Sequence, residues 1–215
     1  MHLPFFDQIS CAQHIADLLG GADPPFQSVS LIGEKAGRLA KNLAAHLPAM
    51  QMVVAEQPAD VALSFDSIHV LPVNQRAAHV EKIAALAKRE AIIACPLGTD
   101  LQITIYRSLE KLAHEQNQSP PTELTEAVAH GLPTPQDAAS WAHGYNDLDL
   151  FYAGDVAYFQ DQATRFLFKQ AQSPLRRALL RLTSAHAPSV TELPLPPETV
   201  PMRRHRRLFL ILRKR

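Results

Sequence analysis

Two kinds of apolar pattern alternate along the chain. One kind recurs every three to four residues, the spacing of a helix with a buried stripe; the other is a short unbroken run, the mark of a strand covered on both faces. Asp7 is placed to cap a first helix carrying Ile9, Ala12, Ile15, Ala16 and Leu19, and Gly20-Gly21 closes it. Pro24-Pro25 marks a loop. Val29 to Gly33 then reads as a buried strand, followed by a turn containing Gly33, Lys35 and Gly37 and by a helix over 38–46 with Leu39, Leu43 and Leu47 on one side.

The alternation continues. Met50 to Ala55 and Val61 to Phe65 are apolar runs. Asn74 is placed to cap a helix whose inner face holds Val80, Ile83, Ala84 and Ala87, and Ala91 to Cys95 is a strand stopped by Pro96-Leu97-Gly98. Helices follow over about 100–116 and 123–129. A further helix is announced by Thr134-Pro135-Gln136-Asp137, which supplies a cap, a proline at the first helical position and an acid at the third. Leu148 to Tyr152 fits a strand and Asp155 to Gln170 a helix. Ser173-Pro174 opens another helix, with Leu175, Leu179 and Leu182 opposite Arg176, Arg177 and Arg181. Five prolines in 187–201 make an extended connector, and Arg207 to Arg213 reads as a last strand with Leu208, Leu210 and Leu212 on one face. Helices alternating with strands predict a mostly parallel sheet covered on both faces.

Composition adds bounds. A 215-residue chain with 47% hydrophobic and 20% charged residues can bury a core of its own. No apolar run is long enough to cross a bilayer, and the N-terminus lacks a basic stretch followed by an apolar one, so a cytoplasmic protein is expected. Cys11 and Cys95 lie far apart without metal-ligand spacing, and the ten histidines form no HExxH pattern, so no metal site is expected. The net charge of zero hides a polarity: residues 203–215 carry seven of the 21 basic residues and no acid. Such a tail is either a soluble edge strand or a surface for an anionic partner, nucleic acid or an acidic membrane.

Three segments resemble the class I S-adenosylmethionine-dependent methyltransferases. Leu31-Ile32-Gly33-Glu34-Lys35-Ala36-Gly37 stands where that family has an acid-x-Gly-x-Gly-x-Gly loop; Gly33 and Gly37 are kept, while Leu31 replaces the acid and Lys35 the middle glycine. Ala59 to Pro72 is similar to the family's FDxVxxxDxLEHxP stretch, with Asp66 and Pro72 matching and His69-Val70 in place of Glu-His. Glu126 and Gly131-Leu132-Pro133 match an EHxxYGLP segment of some bacterial methyltransferase-like proteins that accompany polysaccharide synthesis, with Ala127 and His130 at the His and Tyr positions. The resemblance spans about 28–215, leaving 1–27 as a helical lead-in. It implies an α/β fold, a three-layer, mostly parallel Rossmann-like sheet with an antiparallel C-terminal strand.

The resemblance also implies roles. S-adenosylmethionine would lie over the turn of Gly33, Glu34 and Gly37, and Glu56, 19 residues beyond Gly37, would accept the ribose hydroxyls. Asp66, His69 and His130 are the candidate bases, and the acceptor would be a small-molecule or glycan-related substrate. One spacing conflicts with the pattern. Only Gln57 to Ala59 separate Glu56 from Asp60, too few for the family's third strand and its helix. Either the sheet is shortened at that edge or residues 50–55 pair differently, as in a hairpin. Leu31, Lys35 and this short link leave a second reading open, a methyltransferase-like fold kept as a non-catalytic interaction or regulatory module.

Overall fold

The computed structural model describes residues 8–143, 145, 147–170, 198–202 and 204–214. The expected helix over 173–185 and most of the connector lie outside these. The elements are α1 (Gln8–Gly20), β1 (Ser28–Ile32), α2 (Ala36–His46), β2 (Gln51–Val53), β3 (Ala59–Phe65), a 3-10 turn (Ile68–Val70), α3 (Val73–Leu86), β4 (Ala87–Pro96), α4 (Asp100–Glu115), α5 (Thr122–His130), α6 (Pro135–Trp141), β5 (Leu148–Asp155), α7 (Val156–Gln170) and β6 (His205–Arg213). Six strands form one sheet in the order β2-β1-β3-β4-β6-β5, parallel from β2 to β4 and antiparallel at β6 and β5.

Strand alternation divides the core. Val29, Leu31, Val61, Leu63, Ile92, Ala94, Phe209 and Ile211 face α1 and α2. Ala62, Ala91, Ile93, Cys95, Leu208, Leu210 and Leu212 face the other way, onto Val80, Ile83 and Ala84 of α3 and Ala138 of α6. The first helix is therefore part of the main core: Cys11, Ala12, Ile15 and Leu19 pack in one cluster with Leu39 and Leu43. A third cluster joins α4, α5 and α7 through Tyr106, Leu109, Leu124 and Phe159.

Both ends of α3 differ from the sequence reading. The cap of α3 is Pro72, and Asn74 lies inside the first turn; Ala87 belongs to β4, which starts four residues before the expected strand and pairs Ala87 with Ala59. The capping box at α6 forms as expected, with the Thr134 side chain accepting from Asp137 N–H and the Asp137 carboxylate accepting from Thr134 N–H.

The short link after Glu56 resolves in favour of a shortened sheet. β2 is the edge strand and pairs parallel to β1, with Val53 beside Ser30. β3 pairs parallel to the other side of β1, with Val61 beside Val29. The chain must therefore step across β1 in residues 54–58. Two strand spacings are about 10 Å, and six extended steps reach about 20 Å, so no helix is needed. Polar anchors hold the crossing on the Ser30 face of β1: the Ser30 hydroxyl donates to Ala55 O and accepts from Gln57 N–H. The Asp60 carboxylate accepts from Gln27 N–H (2.7 Å) and Ser28 N–H (3.1 Å), and Asp60 N–H donates to Ser28 Oγ (3.0 Å).

Candidate functional site

In an open parallel sheet, the loops leaving neighbouring strands toward opposite faces leave a crevice at the carboxyl ends of those strands. Here that point lies between β1, which leads to α2 on one face, and β3, which leads to α3 on the other. The turn after β1 is tight: Ala36 N–H donates to Gly33 O and Leu39 N–H to Lys35 O, both at 3.1 Å. Gly33 has φ of +129°, and a Cβ there would stand 2.1 Å from Phe65 O and 2.6 Å from Ser67 Oγ. Only glycine fits. The close approach that demands it is the end of β3, within the protein, rather than the bound molecule that the motif implied. Gly37 differs, since a Cβ there would meet nothing within 4 Å.

Above this turn lies a group of buried charges. Asp66, the residue after β3, has φ of +50°, a conformation that aspartate tolerates better than most residues. Its carboxylate takes both arms of Arg207 from the start of β6, at 2.6 and 3.1 Å. Lys35 Nζ lies 3.5 Å from Asp66 Oδ2 and 3.4 Å from Glu123 Oε1 in the first turn of α5. Arg207 also lies over the Phe65 ring, and Arg206 over Phe159 at 4.0 Å from its centroid. The antiparallel direction of β6 explains the meeting, because it brings the start of that strand to the carboxyl ends of the parallel ones.

These neighbours set the protonation states. Burial alone would raise the Asp66 pKa, but Arg207 and Lys35 outweigh it and hold the carboxyl well below the usual carboxylate range. His69, in the 3-10 turn, is 1% exposed; burial, with Lys35 and the two arginines, lowers its pKa to about 3 against the opposing pull of Asp66. Its Nδ1 has no hydrogen-bond partner. Burial also raises the Cys95 thiol to about 12, so it stays protonated. A carboxylate that does not take a proton and an imidazole titrating near 3 are both weak bases at neutral pH, where general-base catalysis favours a pKa near the working pH.

The structure therefore brings together Asp66, His69 and the Gly33 turn, with Glu34 exposed on its outer side. It places the other two candidates elsewhere. Glu56 sits on the link that crosses β1 and pairs with Lys82 of α3 at 2.6 Å, both half exposed. His130 pairs through Nε2 with Glu126 on its own helix at 2.9 Å. Its segment has an architectural part. Buried Arg76 of α3 donates to Gly131 O at 2.6 Å, His130 O at 3.3 Å and Leu71 O at 3.1 Å, and Gly98 N–H donates to Pro133 O at 2.6 Å.

Sequence reasoning missed Glu123 and Arg207 as site residues. The available signal was Arg206-Arg207 at the head of an otherwise apolar strand, which the tail's overall charge obscured. Those arginines are buried, Arg213 pairs with Glu90, Asp147 and Asp149, Arg204 pairs with Glu198, and Lys214 donates to Ala87 O. Of the two expectations for the tail, a strand of the sheet or a surface for an anionic partner, β6 fits the first, and each described basic residue named here is buried or paired within the protein. No described group of His, Cys, Asp and Glu is arranged to hold a metal ion, and no described helix is long and apolar enough to cross a membrane.

No protein-family model and no curated protein matches the chain. Solved structures do. The plantazolicin methyltransferase BpumL, in complex with a triazolic desmethylPZN analog and SAH, is 13% identical, covers 98% of this chain and 85% of its own, and superposes with a TM-score of 0.52. Its complex with a monoazolic analog and SAH gives the same identity and score over 97% of this chain and 84% of its own. Sheet order, parallel and antiparallel strands and near-complete coverage agree: the chain has the fold of the S-adenosylmethionine-dependent methyltransferases, with one edge shortened.

Proposed function

We propose that this chain is a non-catalytic methyltransferase-fold module, working by interaction or regulation. The neighbours of this fold are complexes with SAH, the product of S-adenosylmethionine. The donor carries an ammonium and a sulfonium, both cationic, and a ribose diol. The residues here do not fit its methionyl end. The position that would accept the ammonium is Leu31, buried in the core. Asp66 is held by Arg207 and Lys35, and the crevice presents a cation of its own. Glu56 is paired with Lys82.

The observation that carries this reading is the Lys35 ammonium set between Asp66 and Glu123 across the crevice. Isothermal calorimetry and thermal shift with millimolar S-adenosylmethionine and SAH test it. Neither heat nor stabilisation is expected; saturable binding of either compound overturns the reading. Two buried cysteines outside any disulfide suit a reducing compartment, and we place the protein in the cytoplasm.

A second reading is favoured by the near-full-length superposition on SAH complexes and by the open space beside Gly37. In it Lys35 withdraws, and the chain methylates a small-molecule or glycan-related acceptor. Donor binding in the same calorimetry selects this reading, and methyl incorporation into such an acceptor then identifies the substrate.

A further inference from the structure

We propose that Asp66, Glu123 and His69 form a receptor for a primary ammonium group, that Lys35 is its tethered occupant, and that removing the Lys35 side chain turns the crevice into a binding site for free alkylammonium ions. The inference rests on the donor-free reading above, since it makes Lys35 the crevice's own ligand.

Three observations support it. First, two carboxylates from different elements converge on one ammonium: Asp66 follows β3 and Glu123 opens α5, yet Nζ lies within 3.5 Å of both. Their side chains are 3% and 8% exposed, so the site is dry and a cation there feels little screening. Second, the tether seats the ammonium loosely. Charge-assisted N–H···O bonds settle at about 2.7–2.9 Å, whereas Lys35 reaches its two acceptors at 3.5 and 3.4 Å. Third, an acceptor in the same cluster is unused. His69 Nδ1 is buried without a partner, and burial keeps the ring neutral, so that nitrogen can take an N–H. An ammonium has three N–H donors; Lys35 meets two carboxylates, and His69 Nδ1 is a buried acceptor nearby that it leaves unused.

The charge balance explains why the occupant is cationic and small. Arg207 bonds both oxygens of Asp66, and Oδ2 is shared between Arg207 Nη2 and Lys35. A quaternary ammonium lacks the N–H donors that the two carboxylates accept from. Potassium or sodium supplies charge without directed hydrogen bonds. A primary alkylammonium supplies both.

The test uses the full chain with Lys35→Ala, which keeps Cβ and removes three carbons and the nitrogen, the dimensions of n-propylammonium. The variant is expected to melt below the wild type. At a tenfold excess over Kd, propylammonium chloride should raise its Tm by about 3–5 °C, while tetramethylammonium and sodium chloride at the same ionic strength leave it unchanged. Wild type and Lys35→Gln, whose crevices stay filled, should not respond. If the alanine variant is recovered poorly, soluble yield with and without propylammonium gives the same answer. No response, or an equal response to all three salts, overturns the ammonium receptor and leaves the donor-free reading standing. S-adenosylmethionine binding to the wild type overturns that reading instead.

Discussion

Two buried arginines at the same end of the sheet do different work. Arg76 is 2% exposed and its guanidinium meets carbonyl oxygens, at Leu71, His130 and Gly131. Arg207 is 1% exposed and meets a carboxylate, Asp66, through two bonds. The first fastens the loop after β3 and the end of α5 onto α3, joining pieces of backbone that are each polar and neutral. The second balances a charge that is buried inside the crevice and shared with Lys35. Removing a cation from dipoles leaves several weak acceptors unpaired. Removing it from an ion leaves a dry charge, which costs more. Arg76 holds backbone segments together, and Arg207 neutralises a buried charge.

The largest expected effect breaks the second region. Arg207→Met leaves Asp66 buried with Lys35 alone and should destabilise the fold by about 3–5 kcal/mol, read by urea denaturation. The double variant Arg207→Met, Asp66→Leu removes both charges and should recover much of that loss. A double variant no better than the single one would show that packing, rather than charge, gives Arg207 its weight. Arg76→Met comes next, at about 2–3 kcal/mol, and no single acid replacement should rescue it, because its partners are main-chain carbonyls.

Legibility in the sequence follows the same division. The sheet and its helices were readable because alternation and helical spacing are local signals, and β6 shows the expected split of Leu208, Leu210 and Leu212 from Phe209 and Ile211. The Gly33 turn was readable as a tight turn, although its cause, contact with Phe65 O, joins residues 32 apart. The site was less legible. Asp66 and Arg207 are separated by 141 positions, and nothing local to either announces the other. Lys35 could be recognised as too bulky for a glycine position, but its acceptor Glu123 lay in a helix of which only the bounds were legible. Glu56 and His130 were singled out by motif position, and each turned out to be paired with a neighbour on its own surface. The shortened edge was visible as an impossible spacing; the crossing over Ser30 that resolves it depends on hydrogen bonds that spacing does not encode.

His69 joins the two regions and sharpens the comparison through pH. Its carbonyl lies 3.5 Å from Arg76 Nη2, and its ring is close enough to feel the charges of Asp66, Lys35 and Arg207. The folded pKa of about 3 lies below the ordinary value of 6.5, so between those values the unfolded chain binds a proton that the folded one does not. Stability from this residue is complete above pH 6.5 and falls as the solution is acidified toward pH 3, by about 1.4 kcal/mol per pH unit. His69→Gln should flatten the stability profile by that slope between pH 4 and 6. An unchanged slope would mean that the ring is solvated in the folded protein and that the cluster is open to water.

Glu56→Gln should do least, and it separates the crevice from the rest of the surface. The Glu56–Lys82 pair is short, 2.6 Å, but its side chains are 48% and 55% exposed, where water and salt weaken an ion pair and side-chain ordering offsets much of the gain. The expected loss is about 0–1 kcal/mol, shrinking further in high salt. The crossing itself should survive, because Ser30 and Asp60, rather than Glu56, hold residues 54–58 on β1. Measured in low and high salt beside Arg207→Met, the variant contrasts an exposed ion pair with a buried one. A loss of several kcal/mol that persists in high salt would show the crossing to be built around Glu56 and would bring that carboxylate back as part of a site.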